Sequence, residues 1–135
     1  LGKRNILFPG VEKLLKDLKK DYKLAIATGS SRVTARHSTT KAFLNLFDCI
    51  VTINDVKHGK PSSDQLFFIA KKLRVDFSEC LMVGDSTYDI IAAKSVNMDS
   101  VGVLTGYNSR KELVEAGANR VFRNVKKIKS YLNAL

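Results

Sequence analysis

Tryptophan is absent from these 135 residues, and there are only two cysteines and two prolines. Cys49 and Cys80 stand 31 positions apart, too few and too distant for a disulfide framework or a clustered zinc site. Both are expected to be buried free thiols in a reducing, cytoplasmic setting. Long apolar runs are also lacking. Stretches such as Leu24-Ala-Ile-Ala27 and Leu81-Met-Val83 are short, far below the roughly 18 residues that a membrane-spanning helix needs. Acidic residues are scarce relative to basic ones, 13 against 23, which leaves a formal charge of +10. Such a balance raises the question of nucleic acid. No aromatic-rich RNA motif or helix-turn-helix pattern accompanies it, and the lysines fall where helices would turn a face to solvent. The reading is therefore set against nucleic acid and in favour of an anionic small molecule.

What is present is a regular alternation. Pro9-Gly10 opens a helix in which Val11, Leu14, Leu15 and Leu18 form one apolar stripe. A short strand over residues 23–27 follows, then a weaker helix over 32–44 and a strand over 49–53. Pro61-Ser62-Ser63 starts the next helix, with Leu66, Phe67, Ile69, Ala70 and Leu73 on one side. Residues 80–83 form a third strand, 89–94 a helix and 100–104 a further strand. Ser109 and Glu112 have the spacing of a capping box, and Gly117 ends that helix. Residues 120–122 suit an edge strand, and Asn124 caps a last helix. The strands are apolar without period-two alternation, as in a parallel sheet covered on both faces. The expected fold is thus α/β, a Rossmann-like three-layer sandwich with a mostly parallel sheet.

In such folds ligands bind beyond the carboxyl ends of the strands. Thr28-Gly29-Ser30 follows one strand and Gly84-Asp85-Ser86 another, while His58-Gly59-Lys60-Pro61 lies between a strand and a helix. Thr28 could be a β-branched strand end and Ser30 or Ser31 a helix cap; the functional reading gives phosphate oxygens to the Thr28 hydroxyl and the amides of Gly29 and Ser30. Lys60, held in extended backbone before Pro61, would aim an ammonium at a phosphoryl group. Asp85 and Asp89, four positions apart, repel unless a cation lies between them. Mg²⁺ suits so sparse a supply of carboxylates. The competing reading makes Asp85 a helix cap and leaves Asp89 to favour the positive helix end. His37 and His58 lack matching ligands and are read as structural, as is a half-buried Tyr88.

Taken together these stretches resemble the haloacid dehalogenase superfamily, over nearly the whole chain. Leu24-Ala-Ile-Ala-Thr28 is similar to its second motif, Gly59-Lys60-Pro61 with Asp64 to its third, and Val83-Gly84-Asp85-Ser86-Thr87-Tyr88-Asp89 to its fourth. Pro9-Gly10-Val11 and Thr105-Gly106-Tyr107-Asn108-Ser109-Arg110 resemble phosphoglycolate-phosphatase-like members. The resemblance implies an Mg²⁺-dependent phosphohydrolase that forms an aspartyl-phosphate on a small phosphate ester. Thr28 and Lys60 would be catalytic, Gly29, Ser30 and Ser86 would hold the phosphate, and Asp85 and Asp89 the metal. The family's Asp-x-Asp nucleophile motif does not occur in this sequence. The expectation is therefore a piece of a longer enzyme, with residues 1–8 the end of a cap connection. Residues 9–135 would then be a core without its central first strand, inactive alone and free to dimerise through exposed strand edges. The alternative is a non-catalytic module that binds phosphate or Mg²⁺.

Overall fold

The computed structural model describes residues 10–135; the expected cap connection and Pro9 lie outside the described residues. Along these residues helices and parallel strands follow one another in the expected order, with one expected helix replaced by two. Helix α1 (Val11–Leu18) starts from Gly10, whose φ of 84° is a left-handed conformation that glycine adopts without a Cβ penalty. Strand β1 (Ala25–Ala27) pairs in parallel with β2 (Cys49–Val51). Between them the single expected helix is two: α2 (Arg32–His37) and α3 (Lys41–Leu44). Three consecutive hydroxyl residues cause the break. The Thr40 side chain accepts from the Phe43 amide and so begins a new helix.

Helix α4 (Asp64–Leu73) then packs across β2 and β1. Leu66 is buried on that face, whereas Phe67, expected to share it, is 56% exposed. Strand β3 (Leu81–Gly84) pairs with β4 (Asp99–Val103), and β4 with β5 (Arg120–Phe122), all parallel. Helix α5 (Thr87–Ser95) covers β3 and β4, and α6 (Arg110–Ala116) lies against β4, β5 and α5. The reciprocal Ser109–Glu112 box forms as anticipated, and Gly117 closes α6 at φ 114°. Asn124 caps a 3₁₀ turn that leads into α7 (Ile128–Asn133).

The buried core lies mostly around α5, where Leu66, Ala92, Ala93 and Met98 pack with Phe77, Cys80, Met82 and Val96. Cys49 and Cys80 are both free thiols, the first buried and the second half-buried. No helix among the described residues is long and apolar enough to cross a membrane.

The five strands do not form one sheet. Among the described residues β1 pairs only with β2, and β3 only with β4, so the sheet is divided into a pair and a triplet. The division has a price in exposure. Val83, in the middle of an apolar strand, is 40% exposed, while Val101 on β4 is fully buried.

The β1–β2 pair is held by carboxylates as well as by its ladder. The Leu24 amide donates to Asp48 at 2.8 Å. The Thr52 amide donates to Asp55 at 2.8 Å, and the Arg32 guanidinium reaches the same carboxylate at 2.7 Å. These contacts hold both carboxyls below the usual carboxylate range, the backbone donor being the largest cause in each. A carboxylate with a depressed folded value stabilises the fold above its unfolded value, about 3.9. That stability is lost as pH falls through the lower folded value. An acid titration followed by circular dichroism should thus show the fold weakening below about pH 4. Asp55→Asn should be less stable than the parent chain at pH 7 and lose less over the same acid range.

Candidate functional site at the divided sheet

The carboxyl ends of β1 and β3 are brought together by one side chain. Lys60 precedes α4, joined to Pro61 by a cis peptide. Its ammonium donates to the Ala27 carbonyl at 2.8 Å, at the end of β1, and to the Asp89 carboxylate at 2.5 Å, in the first turn of α5. Both side chains of this ion pair are largely buried, 15% and 11% exposed. Lys60 thus bridges the two parts of the sheet.

The loop after β1 is fixed from several sides. The Thr28 amide continues the ladder to the Val51 carbonyl, and the Ser30 amide donates to Thr28 Oγ1 at 3.0 Å. The Gln65 side-chain amide donates to the Thr28 carbonyl at 2.7 Å. Arg32 gives its amide to Asn54 Oδ1 and its guanidinium to Asp55. Thr28, Gly29 and Ser30 therefore form a preset turn in which the Thr28 hydroxyl oxygen already accepts from the Ser30 amide and keeps its own O–H to donate.

The turn after β3 is fixed differently. Helix α5 begins at Thr87 with Ser86, not Asp85, as its cap. Ser86 Oγ accepts from the Tyr88 amide, while Asp89 Oδ2 accepts from the Ser86 amide. The Thr87 amide donates to Asn108 Oδ1 at 3.0 Å, tying the loop 105–108 to this turn. Asp89 consequently fulfils its helix-start role and the Lys60 pairing at once, with one oxygen for each. Asp85 lies before the helix, outside this closed set of bonds, and its side chain lines an open cavity of about 740 Å³ between residues 85–88 and 105–108. Two glycines make the packing possible. A Cβ on Gly84 would come within 2.4 Å of the Asp89 carboxylate, and one on Gly106 within 2.8 Å of Asp85 Cγ.

The structure gathers Thr28, Lys60 and Asp89 around the end of β1 and sets Asp85 and Ser86 on the rim of the cavity beside them. Tyr88, expected half-buried, is 58% exposed on that rim, and Tyr107 is fully exposed. His58 approaches Asp64 at 3.4 Å, in keeping with a structural role. Sequence reasoning did not single out Gln65, Asn108 or Gly106. Asn108 and Gly106 stood inside a quoted motif, and Gln65 was visible as a polar residue beside the apolar stripe of α4. Among the described residues no three His, Cys, Asp or Glu side chains converge. Mg²⁺ asks for only one or two carboxylates and keeps several waters. The Asp85 carboxylate fits that demand, and Asp89 fits it once an oxygen leaves Lys60.

Removing one partner of a buried ion pair strands the other charge, at a cost of about 3–5 kcal/mol. Asp89→Asn should therefore lower unfolding stability in denaturant by about that amount. Lys60→Met combined with Asp89→Asn should lose less than the sum of the two single changes. Strict additivity would mean that the pair is not formed.

Residues 3–103 match the haloacid dehalogenase-like hydrolase family. The chain is 32% identical over 120 residues to a phosphoglycolate phosphatase of Colwellia psychrerythraea, covering 87% of this chain and 53% of that protein. It is 36% identical over 95 residues to the pyrophosphatase PpaX of Bacillus velezensis, covering 69% of this chain and 44% of the relative. Among solved structures, a hydrolase from Pseudomonas syringae superposes with a TM-score of 0.86 at 36% identity, over 96% of this chain and 61% of its own. The chain spans about half the length of these curated relatives. With that match over most of its length, the chain belongs to the haloacid dehalogenase-like hydrolases.

Proposed function

We propose that this chain is the phosphate- and metal-binding part of an Mg²⁺-dependent phosphohydrolase acting on a small phosphate ester. The observation that carries the reading is the Lys60 ammonium, held within hydrogen-bond reach of the β1 terminus and Asp89 together. It puts a fixed cation beside the Thr28 turn, in a mostly buried setting where charge acts strongly. Thr28 Oγ1 and the Gly29 amide hold the phosphoryl oxygens, and the Ser30 amide joins them once it leaves Thr28 Oγ1. Lys60 balances the charge that builds on them, and the Ser86 region closes the other side.

Asp85 and Asp89 hold Mg²⁺, which when bound offsets phosphoryl charge and orients the ester. The position of Asp85 after β3, closely approached by Gly106, supports this role. Asp89 trades between Lys60 and the metal or its waters. The nucleophile is an aspartate that attacks phosphorus and expels the ester's alcohol, forming an aspartyl-phosphate; water then breaks the new P–O bond, releasing inorganic phosphate and restoring the aspartate. It belongs to a segment outside these 135 residues, since no Asp-x-Asp occurs among them. The separate β1–β2 and β3–β4–β5 sheets support a place for that segment, as a strand between β1 and β3. In this reading residues 9–135 are the core and residues 1–8 the connection from a cap. The phosphoglycolate phosphatase and pyrophosphatase relatives support a small phosphorylated substrate, and the free thiols suit a cytoplasmic setting.

The test is phosphate release by the whole gene product from phosphoglycolate, pyrophosphate and sugar phosphates, with and without Mg²⁺. Activity should vanish with a chelator and return with Mg²⁺. Asp85→Asn should lower kcat/KM by about 10²–10³-fold, the scale on which one charge-stabilising group acts. Turnover that survives Asp85→Asn would overturn the reading. Binding of phosphate and Mg²⁺ without any turnover would favour the non-catalytic module instead.

A further inference from the structure

Gln65 has no part in the functional reading above, yet it is the most deeply buried polar residue beside the site. Its exposure is 0%, matched among large side chains only by residues such as Ile90 and Leu113. It sits in the first turn of α4, five positions after Lys60. Its Nε2 donates to the Thr28 carbonyl at 2.7 Å, while Lys60 Nζ donates to the Ala27 carbonyl at 2.8 Å. Two consecutive carbonyls at the end of β1 are therefore gripped by two side chains from one short segment. Gln65 Oε1 finds no partner among the described residues. A buried acceptor without a donor is costly, and an apolar side chain would fill the same space without that cost. Packing alone does not account for a glutamine here.

We propose that Gln65 is a positioning residue for the phosphate-binding turn: by holding the Thr28 carbonyl it presets Thr28 Oγ1 and the amides that follow. The inference rests on the proposed phosphate site. The peptide plane that carries the Thr28 carbonyl also carries the Gly29 N–H, so fixing one end aims the other. Rotation of that plane would turn the Gly29 amide away from the anion. Lys60 fixes the preceding peptide in the same manner, and the turn is left with little freedom to lose on binding.

The test uses the whole gene product, whose unsubstituted form is the parent chain, with inorganic phosphate as the probe in the presence of Mg²⁺, read by isothermal titration. Gln65→Met keeps the volume and exchanges one unpaired acceptor for another: Oε1 is removed, and the Thr28 carbonyl loses its donor. Its unfolding midpoint should stay near that of the parent chain, while phosphate affinity falls about 10-fold, the worth of one well-placed hydrogen bond. Gln65→Glu supplies a second readout. Relative to the parent chain at the same pH, it should bind phosphate poorly at pH 8, where an ionised carboxylate repels the Thr28 carbonyl. It should regain affinity near pH 5.5, where a buried carboxyl is protonated and can donate. Equal phosphate affinity of Gln65→Met and the parent chain would overturn the positioning role and leave the phosphate site standing. No phosphate binding by the parent chain would overturn both.

Discussion

The Lys60 ammonium, shared between the Ala27 carbonyl and the Asp89 carboxylate, is the contact on which the arrangement of this protein depends. Desolvating a lysine is costly, and the cost is offset only where a counter-charge and further acceptors lie close. Both conditions are met, because the end of β1 offers a carbonyl and the start of α5 offers a carboxylate. The bond spans two sheets that share no ladder. It therefore sets how the Thr28 turn faces the Asp85 turn, and with that the relation between the proposed phosphate-holding and metal-holding groups. The remaining contacts make this placement rigid: Gln65 on the Thr28 carbonyl, Asn108 on the Thr87 amide, and Asp55 between Thr52 and Arg32.

Much of the fold was legible in the sequence because its signals are local. Apolar runs without alternation announced the parallel strands, and the Ser109–Glu112 spacing announced α6 with its cap. The three motif segments indicated which strand ends face one rim. The misses have physical reasons too. Residues 38–40 are Ser-Thr-Thr, and their hydroxyls compete for backbone amides, which divides one expected helix into α2 and α3. Phe67 was assigned to a buried stripe because helical periodicity does not reveal where a covering element ends.

The site was legible as a set of residues but less so as a set of bonds. Asp85 and Asp89 were read as a carboxylate pair, and the spacing alone could not reveal that Asp89 has a lysine partner 29 positions away. Nor could it reveal that Ser86 takes the cap position, which leaves Asp85 outside the helix and facing the cavity. Gln65 and Asn108 act through backbone groups of distant segments, and no sequence pattern encodes such a partner. Gly84 and Gly106 are different. Glycine beside a strand end is a readable sign of close approach, and here it is the two aspartates that approach.

A crystal structure of the whole gene product with Mg²⁺ and inorganic phosphate tests the central claim most directly. The account predicts phosphate oxygens within hydrogen-bond reach of Thr28 Oγ1 and Lys60 Nζ, with the cation on the Asp85 carboxylate. Phosphate bound away from the Thr28 turn, or a cation that leaves Asp85 untouched, would contradict it.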